Sequence, residues 1–243
     1  MLTSLITDRF RSIGGEFCVP PQELRERLDS TRIFLFDWDG VFNAGEKGKG
    51  ATSLYAEVDS MGLNMLRFGY YLQTGKIPKV GIITGQENHS AFHLAKREHF
   101  DVVYYKFHHK ALALEHLEKE YGIQDHEVAM TFDDIADITL AKRVGLRFLV
   151  RCTAAILFND YVRKHNYCEY ITGHEGKDNA VREICELILG IRGVFEEAIE
   201  ERFGYSEKFR EYMRLRSSIE TRFFVGHEDR VVPIEVHIEN HRY

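Results

Sequence analysis

Proline is scarce in this chain of 243 residues, with four in all, and cysteine is no commoner, also four. Few prolines, a charged fraction of 29% and plentiful Ile, Leu, Phe and Tyr exclude a disordered or collagen-like chain. Cys18, Cys152, Cys168 and Cys185 are scattered, with no C-x-x-C pair. That spacing argues against a zinc ribbon or a disulfide-dense secreted scaffold, and it reads as reduced, mostly buried thiols. No run approaches the ~20 apolar residues of a membrane-spanning helix, and Asp8 and Arg9 interrupt the N-terminus before a signal-peptide core develops. The expectation is a soluble, cytoplasmic protein with no membrane partner. Excess positive charge is also lacking: 32 Lys and Arg against 38 Asp and Glu give a net charge of −6, spread along the chain, so no nucleic-acid footprint exists. Twelve histidines are present, but His89 and His93 lack a third ligand, and His108 and His109 are adjacent rather than spaced for one metal.

What is present is an alternation of short apolar runs with segments of helical periodicity. Strands are predicted at 32–36, 80–83, 101–105, 127–130 and 146–150, and helices around 62–71, 88–98, 110–121, 135–144 and 180–189. Several of these strands are apolar on both alternating faces, as in a parallel sheet covered by helices on each side. The fold class is therefore α/β, a three-layer Rossmann-like arrangement. Three stretches fall outside the rhythm. Residues 1–30 form an N-terminal extension with a helix over 22–29 after Pro20-Pro21. Residues 43–58 read as a β-hairpin inserted after the first strand. Residues 191–243 form a C-terminal extension, helical over 195–219 and ending in an edge strand over 230–238 that Pro233 keeps from a central position. The core domain spans 31–190.

Acidic residues gather where these strands end. Phe34-Leu35-Phe36 runs into Asp37-Trp38-Asp39-Gly40, two carboxylates one residue apart before a glycine that permits a sharp turn. In an open α/β sheet ligands bind beyond the carboxyl ends of the strands. Ile83-Thr84-Gly85 places a hydroxyl and a glycine amide at the end of the next strand, both suited to a phosphate oxygen. Lys110 opens the helix after the third, and Asp133-Asp134 with Asp137 closes the fourth. Each has a plainer reading: turn residues for Asp37 and Asp39, a helix cap for Thr84 (although Asn88 is better placed), a solvated lysine for Lys110, and helix-dipole partners for Asp134 and Asp137. Trp38, the single tryptophan, reads as packing beside the site. The ordered series on successive strand ends is much more specific than any member.

Together these residues resemble the haloacid dehalogenase (HAD) superfamily of aspartate-dependent phosphohydrolases. Within it the chain is most similar to the capless group that contains the 3-deoxy-D-manno-octulosonate 8-phosphate (KDO 8-phosphate) phosphatases. The resemblance runs from about residue 33 to 189 and includes the late segments Tyr170-Ile171-Thr172 and Ala180-Val181-Arg182-Glu183. It implies a core without a large cap domain, a tetrameric homo-oligomer and a Mg²⁺-dependent phosphomonoester hydrolase. The implied nucleophile is Asp37, with Asp39 as general acid and base. Asp37, Asp39 through its carbonyl, and Asp133 would hold Mg²⁺, with Asp134 or Asp137 orienting its water. Thr84, Gly85 and Lys110 would bind the phosphoryl group, and Lys110 would also stabilise charge in the transition state. An ionised carboxylate is a competent nucleophile at neutral pH, and a cation must offset its repulsion from a phosphate dianion. The substrate class is a small phosphorylated metabolite, with 3-deoxy octulosonate or nonulosonate phosphates as candidates.

The pattern departs from the family at Phe132, where relatives have Gly, and at Val58, where they have Arg before the acid that here is Asp59. Phe132 is expected to narrow the pocket, alter the local backbone or slow turnover. These departures and the tail motivate the alternative of a catalytically weak, oligomeric scaffold or binding protein. The tail itself is expected either to cover an active site, a neighbour's first of all, or to stabilise an oligomer.

Overall fold

The computed structural model describes residues 2–48, 53–227 and 230–236. The elements in chain order are α1 (Leu2–Ser12), β1 (Glu16–Phe17), α2 (Pro21–Ser30), β2 (Ile33–Phe36), α3 (Glu57–Thr74), β3 (Lys79–Thr84), α4 (His89–Arg97), β4 (Val102–Tyr105), α5 (Leu112–Tyr121), β5 (Val128–Phe132), α6 (Ile138–Ala141), β6 (Leu146–Leu149), α7 (Ile156–Lys164), β7 (Tyr170–Ile171), α8 (Ala180–Arg192), α9 (Phe195–Phe203), α10 (Glu207–Ser217), β8 (Arg222–His227) and β9 (Arg230–Ile234). All the strands join one sheet in the order β1-β7-β6-β5-β2-β3-β4-β8-β9. It is parallel from β7 to β8, and the outermost strands β1 and β9 are antiparallel.

The α/β expectation is borne out, and the reason lies in the strand residues. In β2, Phe34 and Phe36 enter one buried cluster with Val80, Ile82 and the α8 side chains, while Ile33 and Leu35 enter a second with Val128, Met130 and the α5 side chains. A strand buried on both faces has no place for a polar residue, hence the unbroken apolar run.

The flanks belong to the same sheet. Glu16–Phe17 pairs with β7, and Arg222–His227, which carries too little alternation to announce a strand, lies parallel to β4 with Phe223 and Phe224 buried. The predicted strand at 230–238 is present as β9 on the sheet edge, and its last two residues lie outside the described ones. The helical tail divides into α9 and α10, and Arg216 anchors α10 through a buried ion pair with Glu98 at 2.7 Å. Within one chain α9 and α10 pack on α3, not over the strand-end acids. Of the hairpin expected at 43–58, residues 49–52 lie outside the described ones; Gly48 makes a bridge, residues 43–47 and 53–56 carry no strand, and α3 begins at Glu57, so the insertion ends before 57. The helix expected at 135–144 is also shorter, a 3-10 turn over Ile135–Asp137 followed by α6.

Helices α3 and α8 approach closely because Gly62 and Gly69 share a face. A Cβ on Gly69 would stand 2.2 Å from Leu189 Cδ2, and one on Gly62 3.0 Å from Arg182 Cδ. The same contact buries Asp59, whose Oδ1 accepts from the Arg182 amide in the first turn of α8 at 2.9 Å while Oδ2 has no hydrogen-bond partner among the described residues. Burial raises its pKa to about 7, only partly opposed by the Arg182 amide and charge. Because the folded value lies above that of an unfolded aspartate, the stability cost is complete above pH 7 and fades as pH falls towards 4. Asp59→Asn, which keeps the acceptor, is therefore expected to gain stability relative to the parent by about 1.4 kcal/mol per pH unit between about pH 4 and 7, levelling off above. Urea denaturation across that range checks it; a pH-independent difference would show that Asp59 is not held buried.

Candidate active site

The strand order creates the site. From β2 the chain moves to β3 and β4 on one side, then returns to β5, β6 and β7 on the other, so the connections diverge between β2 and β5. This is the crevice at which open α/β sheets bind ligands. The register places Phe36 opposite Thr131, and the Asp37 amide continues the ladder to Thr131 O at 2.9 Å, so Asp37 and Asp133 leave adjacent strands side by side.

Asp37, Asp133 and Asp137 offer oxygens that all lie within 4.8 Å of one another. Lys110, in the turn before α5 and 3% exposed, reaches into this group, with Nζ 2.8 Å from Asp37 Oδ1 and 2.6 Å from Asp137 Oδ1. Desolvation works against the ammonium, but Asp37 and Asp137 outweigh it and hold its pKa above the ordinary lysine value. The carboxylates are pushed the other way. Burial, then the charges of Asp37, Asp137 and Asp134, raises Asp133 to about 8; burial, then Asp37, raises Asp137 to about 7 against the pull of Lys110. Asp137 Oδ2 is buried with no hydrogen-bond partner among the described residues. One lysine cannot neutralise three converging carboxylates. Such a set of hard oxygens with an orphaned acceptor is a donor set that suits a divalent cation such as Mg²⁺.

The other sequence candidates divide. Asp134 is exposed and is not one of the three acids whose oxygens converge, its Oδ1 accepting from the Ile135 amide at 2.7 Å. Asp39 stands beside the group with its carboxylate held by Ser53 Oγ at 2.8 Å, Asn88 Nδ2 at 3.1 Å and Lys47 Nζ at 2.5 Å. Thr84 Oγ1 ends β3, accepting from Asn88 Nδ2 at 3.1 Å and the Gln86 amide at 3.3 Å, with Gly85 following in an open turn. Gly40 has φ +83°, and a Cβ there would fall 1.9 Å from Asp133 Oδ2, so only glycine lets the first acidic turn lie against Asp133. Gly176 in turn backs onto the Gly40 carbonyl, where a Cβ would sit 2.1 Å away.

Phe132 does not narrow the site. Its ring is fully buried on the α5 face of the sheet with Leu35, Met130 and Leu149, because side chains alternate along β5 and Phe132 points away from the acidic crevice. Trp38 is likewise packing, stacked on Phe42 at 4.8 Å with its indole N–H donating to Ser53 O at 3.3 Å. Lys47, Ser53 and Asn88 are site neighbours that sequence reasoning missed. Asn88 was legible only as the cap of α4; it occupies that position, but its amide donates to Asp39 and Thr84 instead.

No protein-family model matches the chain. It is 26% identical over 175 residues to the 3-deoxy-D-manno-octulosonate 8-phosphate phosphatase of Salmonella typhi, covering 71% of this chain and 86% of that protein. The structure of a probable YrbI-family phosphatase from Pseudomonas syringae superposes with a TM-score of 0.62 at 27% identity, covering 75% of this chain and 98% of that one. The KDO 8-phosphate phosphatase of Moraxella catarrhalis, solved with magnesium, phosphate and KDO, gives a TM-score of 0.60 at 26% identity over 74% of this chain and 97% of that one. This chain is a phosphatase, similar to those of the HAD superfamily. Its mostly parallel sheet flanked by helices is of the same α/β class as these phosphatases. Among the described residues, no helix is long and apolar enough to cross a membrane.

Proposed function

We propose that this phosphatase hydrolyses a phosphate monoester by attack of Asp37 on phosphorus, with the 8-phosphate of a 3-deoxy octulosonate, or the phosphate of a related nonulosonate, as substrate. The observation that carries the reading is the Asp37–Lys110–Asp137 arrangement with Asp133 alongside: a nucleophile-grade carboxylate in a buried acidic cluster whose only close cation among the described residues is one lysine. The carboxylate attacks, the phosphorus–oxygen bond to the sugar breaks, and an aspartyl-phosphate forms on Asp37.

Lys110 fixes the Asp37 carboxylate and lies close enough to balance the charge that moves onto the phosphoryl oxygens. The Thr84 hydroxyl oxygen already accepts two bonds, which leaves its proton to donate to a phosphoryl oxygen beside the Gly85 amide. Asp39 delivers a proton to the leaving oxygen and then takes one from the hydrolytic water. Ser53 and Asn88 orient that carboxylate. Lys47, half exposed, must leave it or exchange it for substrate during the cycle. A divalent cation, Mg²⁺ by resemblance, held by Asp37, Asp133 and the Asp39 carbonyl, would supply the positive charge that a phosphate dianion requires. Asp137, with its orphaned oxygen, suits the supporting position beside it better than Asp134. The scaffold alternative loses the part of its argument that had Phe132 narrow the pocket, since that side chain lies in the core. Assembly as a homotetramer belongs to the same proposal.

Purified protein is expected to release inorganic phosphate from an aryl phosphate, and faster from KDO 8-phosphate, only with added Mg²⁺ and not after chelation. No release across a broad panel of phosphate esters would overturn the catalytic reading, whereas turnover of aryl phosphate with indifference to KDO 8-phosphate would overturn only the substrate.

A further inference from the structure

Two thiols far apart in sequence meet at the sheet edge. Cys18 directly follows β1 and is exposed; Cys168, two residues before β7, is 1% exposed; their sulfurs are 3.5 Å apart. Strand register sets this contact. Phe17 pairs with Tyr170, and the Cys18 amide donates to Glu169 O at 2.9 Å, so the backbone holds Cys18 across from the Cys168 segment. The other cysteines do not compete: Cys185 is fully buried between α8 and α3, and Cys152 belongs to the loop after β6.

We propose that Cys18 and Cys168 are a reversible disulfide site that locks the N-terminal segment to the sheet edge under peroxide or disulfide stress. The division of roles follows from exposure. Only Cys18 meets solvent, and the hydrogen bond from Cys168 holds its thiol below the ordinary value against the opposing effect of burial. That same contact, with burial, pushes Cys168 upward and keeps it protonated. Peroxide therefore reacts at Cys18: its thiolate attacks one peroxide oxygen, the O–O bond breaks, and sulfenic acid and water result. Cys168 then gives up its proton as its sulfur displaces hydroxide from Cys18, forming the S–S bond and a second water. The two thiols lose two electrons and two protons, and the peroxide is reduced to two waters. A dithiol reverses the step by thiol–disulfide exchange.

The lock would span functional ground. Ile6 of α1 packs on Gly190 of α8, and β7 leads into the loop whose Gly173 backs onto Ile13 O and whose Gly176 backs onto Gly40 O. A Cys18–Cys168 bond thus ties the leader to the strand that feeds the loop supporting the first acidic turn. It also closes a loop of most of the described chain, which constrains the unfolded state strongly.

The test uses the full-length protein treated with a small excess of hydrogen peroxide, or with oxidised glutathione, then alkylated. The expected product has lost two hydrogens by intact mass, yields one linked peptide pair containing Cys18 and Cys168, and returns to free thiols with dithiothreitol. Its melting temperature is expected to rise by about 5 °C or more. Cys18→Ser and Cys168→Ser should each abolish the link and the shift, while Cys152→Ser keeps both. Recovery of Cys18 as sulfinic acid or as an alkylated single thiol, with Cys168 free, would overturn the proposal. So would a linkage through Cys152.

Discussion

Asp37→Asn is expected to lower phosphate release at least about 10³-fold while leaving the metal-free protein no less heat-stable than its parent. The two halves of this result have one physical origin. The amide is isosteric with the carboxylate and still offers an oxygen to Lys110 Nζ, now 2.8 Å from Asp37 Oδ1, so the packing survives. It lacks the charge that the proposed nucleophile needs. The same charge is a source of strain in the resting protein, since it stands second only to burial among the causes that raise Asp133 and Asp137. Removing it relieves repulsion in a buried cluster, which offsets the weaker bond to Lys110. Phosphate-release assays beside thermal melts in chelator check both parts. Activity within tenfold of the parent would remove Asp37 from the nucleophile's role, and a large fall in melting temperature would show that the cluster is held together by Asp37 rather than strained by it.

Lys110→Met is expected to lose both activity and stability. The ammonium is the cation shared by Asp37 and Asp137, and its burial means that no solvent replaces it. Breaking a buried pair by deleting one partner leaves the other charge uncompensated and costs about 3–5 kcal/mol. For a chain of this size that corresponds to roughly 6–20 °C in melting temperature. Asp137, already raised to about 7, responds by holding its proton more tightly, so the deficit shrinks as pH falls and is largest above neutrality. Thermal melts at acid and alkaline pH, alongside phosphate release, test this. A variant with parental stability at pH 8 would mean that Asp37 and Asp137 do not share Lys110 as the structure places it. Together the two substitutions separate a group needed for chemistry from one needed for both chemistry and folding.

Much of this architecture was readable from residues. The doubly apolar strands at β2 and β3, the helical periodicity of α3, α4 and α8, and the acidic turns after β2 and β5 all carry local signals strong enough to stand without tertiary context. The elements that escaped were those whose signal is borrowed. Glu16–Phe17 is two residues long and exists because β7 is beside it; Arg222–His227 is a strand because β4 offers an unpaired edge. Residues 135–144 have helical spacing, yet the chain there bends through a 3-10 turn that carries Asp137 into the crevice. At Phe132 the sequence pattern suggested an obstructed pocket, and the alternation of side chains along β5 sends the ring into the core instead.

By itself the sequence determined the fold class, the sheet edge at which chemistry is placed, and the residue types available there, because apolar periodicity and glycine-bearing acidic turns are local properties. Only the tertiary structure decided which acids lie together. Asp137, not Asp134, joins Asp37 and Asp133, since the turn after β5 buries one and exposes the other. It also decided that Asn88 serves Asp39 and Thr84, that Lys47 reaches Asp39, and that Cys18 meets Cys168. Those partnerships join residues from separate elements, and their distances follow from strand order and register, which no single stretch of sequence encodes.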